Sequence, residues 1–401
     1  YFVQAQKMLN KMASKSDGKM KIKYVDLTSN PSFTSDDPNV DWQSSSANNI
    51  VLVESGKQYK VLTLTDCFEY DEQTYNYYGS YSFTGTKIEQ AVVTAILNVT
   101  TDDKVVVDMI KGNNEQDYSS LKTLLENNAY QVNEVSLATG DFDSNAKIAI
   151  MYAPSVDLDE KIVEKLSTWL SNDGKYGRSL IYVPTADMGE MPNLDDFLKE
   201  WGMSIDRGYV FETDESTLVS ASSPYAFTVS YGDYYKDNLK NSKIPVVVSE
   251  SHAVNITDEN TAHALLKTSD KAGVLPIDAD KNWDYKDAVS GNGENVAAEG
   301  VMTNEDKNSS RVIIFGSYVM FSDTIMKYNS FNNSAYFMNV INTIADKEDV
   351  GITIESKSID NTELGITDVA TQNTMLVVFV IIIPIAILVA GFVFWLRRRN
   401  R

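Results

Sequence analysis

Short runs rich in β-branched residues alternate with helical stretches through the middle of the chain. The runs VVVDMI, AYQVNEVSL, AKIAIMYAP and RSLIYVP all lie within residues 104–184. Helical spacing is found at Tyr118–Asn128, Leu158–Ser171 and Leu194–Trp201. Strands that alternate with helices in this way predict an α/β fold with a mostly parallel, doubly wound sheet covered by helices on both faces. We predict this domain over residues 103–347, closed by the strand in RVIIFGSYVMFSD and the helix in NSAYFMNVINTIAD.

Residues 213–310 interrupt the alternation. They are polar overall but contain strand-like runs, namely AFTVSY, IPVVVSE and TAHALLKT. We interpret this region as an elaborated excursion that returns to the same sheet.

The first 102 residues have a different order of elements. A helix over residues 3–15 is followed by predicted strands in KMKIKYVDL, NIVLVES and KQYKVLTL, a Tyr-rich loop TYNYYGSYSFTG and a helix over Thr86–Thr100. This α-β-β-β-α order resembles a thioredoxin-like unit that lacks its leading strand, and we expect that strand in a segment upstream of Tyr1. A redox role is not predicted, because the one cysteine, Cys67, is not part of a C-x-x-C motif.

An uncharged apolar segment lies near the C-terminus. The 22 residues from Met375 to Leu396 carry no charge, and a helix of that length is about 33 Å long, enough for a bilayer core of about 30 Å. We predict a stalk over residues 348–372, one transmembrane helix over residues 373–396, kinked at Pro384, and a basic tail over residues 397–401. The residues expected to anchor the chain are Met375, Pro384, Leu396, Arg397, Arg398, Arg399 and Arg401. The positive-inside rule places these arginines in the cytoplasm and the bulk of the chain outside the cell membrane.

The charge of the chain limits its partners. With 56 acidic and 35 basic residues, the net charge is −21. Such a surface repels nucleic acid, and no basic stripe compensates for it. We therefore expect no nucleic-acid partner.

Candidate ligand-binding residues follow the predicted strands of the sheet. Ligands of doubly wound sheets bind beyond the carboxyl ends of the strands. The turns at that edge supply the candidates Gly112, Asn113, Asn114, Glu115, Pro154, Ser155, Asp187, Gly316 and Ser317. These turns contain no cysteine or histidine, so no nucleophile–base pair is evident and no catalytic residue is predicted. The sequence has no P-loop motif and indicates no cofactor.

Two further features have a functional and a structural interpretation. In DADKNWDYKD, Asp278, Asp280, Asn282 and Asp284 alternate as calcium ligands do, but an EF-hand is excluded because its sixth position would be Trp283 and its twelfth Val289. A looser calcium site and a solvated acidic loop both remain open. The histidines His252 and His263 lack zinc spacing and are predicted to be surface or capped residues. The Tyr-rich loop either packs down or contacts sugars or a partner protein.

The order of these features resembles a known family. MLNKMASKSDGKMKIKYVDLTSNPSF, AIMYAPSVDLDEKIVEKLSTWLSNDGKYGRSLIYVP and RVIIFGSYVMFSD are similar to segments of GldG-like proteins, auxiliary components of an ABC-type transport system named for gliding motility. The resemblance implies a class I glutamine amidotransferase-like domain without its nucleophile, and as partners an ABC permease and, through it, a cytoplasmic ATPase. Where the family often has Gly-His-Gly-Glu, this chain has Gly112-Asn113-Asn114-Glu115, so an imidazole is missing from this turn.

Three functions remain open at this point. The expected one is a non-enzymatic, extracytoplasmic, membrane-anchored auxiliary subunit of an ABC-type transport system, with a crevice available to a substrate or a cell-envelope ligand. The alternative is a free-standing surface protein that binds carbohydrate or protein. The third is an unusual hydrolase using Glu115 and Asp187.

Overall fold

The computed structural model describes residues 2–26, 28–30, 51–101, 103–220, 222–239, 241–280, 283–284, 288–289, 291–327, 330–347, 357–358, 377–385, 395 and 398–399. The chain divides into two compact units. The first comprises Tyr1–Ile50, Thr63–Ala91 and Ile354–Arg401, and the second comprises Val51–Leu62 and Val92–Thr353. The domain bounds proposed from the sequence stay predictions.

Six of the described helices occur where hydrophobic periodicity indicated them, with small shifts at their ends, whereas the short helices at Leu64–Cys67, Glu72–Tyr78 and Asp323–Lys327 were not predicted. The described α-helices are α1 (Phe2–Lys15), α2 (Leu64–Cys67), α3 (Glu72–Tyr78), α4 (Ile88–Thr100), α5 (Ser119–Asn127), α6 (Glu160–Ser171), α7 (Pro192–Glu200), α8 (Asp323–Lys327) and α9 (Asn333–Ile344). Short 3₁₀ turns lie at Asn172–Gly174 and Val319–Phe321. Helix α6 shows why these residues form a helix: Asp159 caps its first turn by accepting from Lys161 N, and Asn172 ends it in a left-handed conformation.

The strands are more numerous than the sequence indicated. They are β1 (Val51–Ser55), β2 (Gln58–Leu62), β3 (Phe68–Tyr70), β4 (Phe83–Thr86), β5 (Val105–Ile110), β6 (Tyr130–Val135), β7 (Ala146–Tyr152), β8 (Ser179–Val183), β9 (Met203–Ile205), β10 (Tyr209–Phe211), β11 (Leu218–Ser220), β12 (Ser223–Tyr231), β13 (Val246–Ser249), β14 (Val254–Ile256), β15 (Ala262–Lys267), β16 (Gly273–Leu275), β17 (Asn295–Thr303), β18 (Ser309–Phe315) and β19 (Lys357–Ser358).

A mixed sheet organises the second unit. Within the described residues it has ten strands in the order β11-β12-β15-β17-β18-β8-β7-β5-β6, with β13 paired to β12. The pairs β18–β8, β8–β7, β7–β5 and β5–β6 are parallel. The pairs β12–β15, β15–β17 and β17–β18 are antiparallel. The return of residues 213–310 to the same sheet is thus confirmed. The expectation of a mostly parallel sheet is wrong, because the strands that this excursion adds to the sheet pair antiparallel with their neighbours.

Helices cover both faces of this sheet, as predicted. Along β7, Ile148, Ile150 and Tyr152 belong to one buried cluster, whereas Ala149 and Met151 belong to the other. This alternation follows from the two-residue repeat of a strand. The first cluster includes side chains of α5 and α9, and the second includes side chains of α6 and α7.

The first unit differs from its predicted order of elements. Helix α1 is confirmed, but residues 20–26 form no strand, although KMKIKYV alternates as a strand would. Alternation of apolar and polar residues is not sufficient for a strand, because a strand also needs a neighbouring strand with which to form hydrogen bonds. The predicted Tyr-rich loop is in part helix α3, capped by Asp71, and strand β4, which pairs with β3 and β19. Strands β1 and β2, predicted in the N-terminal unit, pair with each other and belong to the second unit. The thioredoxin-like likeness stays a prediction.

The predicted transmembrane segment lies mostly outside the described residues. Of residues 373–396, only 377–385 and Trp395 are described, with a π-helical stretch at Val377–Ile382. In the described part of the chain, none of the helices has the length and apolar character needed to cross a membrane. Among the anchor candidates, Met375, Leu396, Arg397 and Arg401 lie outside the described residues. The span therefore stays a prediction.

Candidate functional site at the carboxyl ends of the parallel strands

The loops after β5 and β7 hydrogen-bond to each other at one edge of the sheet. Asn114 Nδ2 donates to Ser155 Oγ at 2.6 Å, and Ser155 N donates to Asn113 O at 3.1 Å. Ser155 Oγ also lies 3.2 Å from Asn114 O. Pro154 is buried directly before the exposed Ser155. The structure thus brings together two of the turns that the sequence proposed, because parallel strands end at the same edge.

Glu115 holds its own loop. Its Oε2 accepts from Gly112 N at 3.0 Å, and its Oε1 accepts from Asn113 N at 2.9 Å and from Asn113 Nδ2 at 3.3 Å. Gly112 has a φ of 115°, which favours glycine. Both carboxylate oxygens are therefore engaged by the turn, so the first role of Glu115 is to fix the loop conformation.

Asp187 belongs to a second group of side chains at this edge. The Tyr209 hydroxyl lies 3.1 Å from Asp187 Oδ1 and 3.0 Å from Ala186 O. Burial, together with the hydrogen bond to Asp187, raises the pKa of Tyr209. Burial and the nearby carboxylates of Glu250 and Asp187 raise the pKa of Tyr318. Phenol hydroxyls thus stay protonated beside two carboxylates, an arrangement that offers both hydrogen-bond donors and acceptors to a ligand.

Gly316 and Ser317 serve the packing behind this edge. A Cβ at Gly316 would lie 2.3 Å from His252 O, so the strand exit requires glycine. Ser317 is fully buried, and its hydroxyl donates to Ser249 O at 2.5 Å. Neither Gly316 nor Ser317 is therefore placed to make the first contact with a ligand bound beyond the strand ends.

His252, predicted to be a surface or capped histidine, does not lie at the surface. It is fully buried, with Nε2 at 2.9 Å from Thr185 O and Nδ1 at 2.9 Å from Gly208 O. The ring stacks on Tyr209 with centroids 5.7 Å apart. Both ring nitrogens face main-chain carbonyl oxygens, and the buried ring lies between the two loops that carry them.

Backbone strain also concentrates at this edge. Asn114, Ala153 and Glu250 have φ values of 57°, 47° and 51°, a left-handed region that non-glycine residues rarely adopt. Such conformations cluster at functional sites because the surrounding structure must enforce them. Glu250 follows β13 directly and Tyr318 is the third residue after β18, so the strand-end rule could have found them. Tyr209 comes from a short strand far along the chain and had no such signal.

Among the described residues, no cysteine–histidine or serine–histidine pair is formed at this edge. Cys67 lies in the first unit, and burial, with the neighbouring Asp66, raises the pKa of its thiol to about 12. A thiol of this kind is a poor nucleophile.

The calcium candidates stay unassigned. In the described part of the chain, no group of three or more His, Cys, Asp or Glu side chains could hold a metal ion. Asn282 lies outside the described residues, so the proposed ligand set Asp278, Asp280, Asn282 and Asp284 stays a prediction.

Comparisons with known proteins give remote structural similarities only. No family model matches the chain, and no curated protein matches it. The mmIFT52 N-terminal domain is 14% identical with a TM-score of 0.45, over 61% of this chain and 99% of that domain. A glutamine amidotransferase from Thermotoga maritima is 7% identical with a TM-score of 0.36, over 61% of this chain and 100% of that one. PurLQS from Thermotoga maritima is 12% identical with a TM-score of 0.31, over 60% and 100% of the two chains.

Proposed function

We propose that this protein is a non-enzymatic, membrane-anchored auxiliary subunit of an ABC-type transport system, with the bulk of the chain outside the cytoplasm. The proposal includes a thioredoxin-like unit over residues 1–102, a class I glutamine amidotransferase-like domain over residues 103–347 and a transmembrane helix over residues 373–396. Its partners are a permease and, through the permease, a cytoplasmic ATPase.

The proposal rests on the polar side chains in the loops at the carboxyl ends of the parallel strands, which we call the strand-end site. These side chains stabilise loops. Glu115 accepts from two main-chain N–H groups of its own turn, and Ser317 donates to Ser249 O. His252 contacts two carbonyl oxygens. A nucleophile needs a base within hydrogen-bond reach, whereas these groups hold loops in place. The arrangement favours a scaffold that presents a shaped surface over one that performs hydrolysis.

The C-terminal sequence supports membrane attachment. A span without charge, followed by four arginines, fits a helix with its basic end in the cytoplasm. A single span forms no pore, and the sequence has no P-loop motif, so transport would require partners. A short stalk would keep the outer domains at high effective concentration beside a membrane partner.

Two experiments on the full-length protein test this proposal. A reporter that is active only outside the cytoplasm should be active when fused before residue 370 and inactive when fused after Arg401. Purification of the tagged protein in mild detergent should recover a multi-span permease and an ATPase. The proposal fails if the reporter pattern is reversed. It also fails if neither partner is recovered and an unrelated span replaces residues 375–396 with no loss of function.

A free-standing surface protein is the second candidate. Tyr77 and Tyr78 on α3 are 81% and 73% exposed, and exposed tyrosines are enriched where proteins bind partners. Tyr77→Ser with Tyr78→Ser should then abolish surface binding while leaving any permease complex intact.

A further inference from the structure

A buried carboxylate lies on the sheet away from the strand-end site. The side chain of Glu299 on β17 is 1% exposed. Its Oε2 accepts from the Tyr235 hydroxyl at 2.6 Å, and its Oε1 lies 2.7 Å from His263 Nε2. These partners satisfy both oxygens of a charge that would otherwise be costly to bury.

Arg311 lies beside this carboxylate with most of its hydrogen-bonding capacity unused. Its Nη1 is 3.6 Å from Glu299 Oε1, which is beyond hydrogen-bond length. The side chain is only 30% exposed, and it donates no hydrogen bond to any residue that the structure describes. A guanidinium has five N–H donors in a planar fork, so most of the donors of this partly buried group stay available.

These side chains line a cleft of about 530 Å³, which is within the size range of small-molecule sites. Val301, Asn238 and Asp237 also contribute to its walls. The ring of Tyr234, which is 47% exposed, lies over His263 with centroids 3.5 Å apart. The cleft therefore combines an aromatic surface, one guanidinium with available donors and two acidic residues, of which Glu299 is engaged by Tyr235 and His263 and Asp237 lies in the wall.

We propose that this cleft binds a small organic molecule with a single oxyanionic group, a carboxylate or a phosphate, held by the guanidinium of Arg311. The planar fork of arginine matches two oxygens of such a group. The apolar body of the ligand lies against the Tyr234 ring. Asp237 repels a second negative charge, so the ligand carries its charge at one end. None of the lining residues belongs to the strand-end loops, and the inference stands apart from the proposed function.

Histidine NMR on the full-length protein in detergent tests this site. The chain has two histidines, of which His263 lines the cleft and the fully buried His252 serves as an internal reference. The probes are benzoate and inorganic phosphate, with chloride at equal ionic strength as the reference anion. We expect the His263 signals to shift saturably with benzoate, phosphate or both, and the His252 signals to stay in place. The probe that saturates identifies the type of oxyanion.

Two variants and a matched control make the test decisive. Arg311→Lys keeps the charge next to Glu299 but removes the fork, and Arg311→Gln removes both. Each should weaken binding of the saturating probe at least tenfold. Lys267→Gln removes one positive charge from the exposed end of β15, outside the cleft, and should leave the affinity unchanged.

The proposal is overturned if neither probe gives a saturable shift beyond that of chloride. It is also overturned if a saturable shift has the same midpoint in wild type and Arg311→Lys. An unchanged His252 spectrum shows that a variant is folded, and if Arg311→Gln alters that spectrum, Arg311→Lys decides the outcome.

Discussion

His263 and Glu299 are directly paired across β15 and β17, and Nε2 of the histidine lies 2.7 Å from Oε1 of the glutamate. The imidazole is one-quarter exposed, whereas the carboxylate is 1% exposed. The partly exposed imidazole of His263 thus contacts the buried carboxylate of Glu299. The pair connects the rim of the cleft to the interior of the sheet. The contact depends on the register of two strands that are separated by more than 25 residues in the chain.

Glu299→Gln should lower the free energy of unfolding by about 1–3 kcal/mol, because one of the two donors to the buried carboxylate loses its acceptor. The donors are the Tyr235 hydroxyl and His263 Nε2, and the amide of glutamine offers only one oxygen. Urea denaturation measures the loss. Glu259→Gln, at an exposed position, is the control and should change stability by less than about 0.5 kcal/mol. Equal stability of the two variants would contradict the importance of the buried network.

Gly316→Ala should destabilise the second unit by about 1–3 kcal/mol, since the added methyl group overpacks a close main-chain contact. The new Cβ would lie 2.3 Å from His252 O. Gly189→Ala is a matched control, because nothing lies within 4 Å of its added Cβ. Thermal unfolding of the two variants should therefore differ clearly. A Gly316→Ala protein as stable as Gly189→Ala would show that the strand exit has room for a side chain.

Glu115→Gln should leave the fold intact and cost about 1 kcal/mol, because a neutral amide replaces an acceptor of two main-chain N–H groups. The affected bonds run to Gly112 N and Asn113 N. We expect neither this change nor Cys67→Ser to remove any hydrolytic turnover. A hydrolase screen on wild type and both variants checks this. A wild-type signal that disappears in Glu115→Gln would favour the hydrolase alternative.

Lys347 should make stability depend on alkaline pH. Burial, with the nearby Lys104, lowers the pKa of Lys347 from 10.5 to about 8. Its ammonium donates to Asn128 O at 2.7 Å and lies over the Tyr130 ring. Below pH 8, Lys347 is charged in both the folded and the unfolded protein, and the folded state is destabilised because this charge is partly buried. This cost is relieved as the folded lysine deprotonates between about pH 8 and 10.5, so its contribution to stability rises across this window.

Comparison with Lys347→Met isolates this effect. Because Lys347 is only partly buried, solvent screening limits the expected difference to about 1–2 kcal/mol. Denaturation at pH 7.5 and pH 10 should show the stability of wild type rising relative to Lys347→Met. Lys267→Met, at an exposed lysine, should track wild type at both pH values. A constant difference between wild type and Lys347→Met would contradict the lowered pKa.

Local pattern was sufficient for much of the second unit. The runs around Val107, Ile150 and Ile181 are apolar on both faces of a strand, and a strand of that kind has to be buried within a sheet. The turns at Gly112–Glu115 and Pro154–Ser155 could be placed at one edge because parallel strands share a direction. The interruption at residues 213–310 could be recognised, but its antiparallel pairing depends on which strands meet in the sheet, and several of those strands are distant in the chain.

What the sequence alone determined about this protein is the set of parallel strands of the sheet with the helices that cover them, the edge at which strand-end loops gather, and the acidic character of the chain. These follow from periodicity and charge, which act over a few residues. Tertiary structure alone decided that His252 is buried between Thr185 O and Gly208 O, that Tyr209 reaches Asp187, and that His263, Glu299 and Arg311 share a cleft. Those contacts join residues up to 67 positions apart, and they exist because strand order and register, rather than local propensity, bring the side chains together.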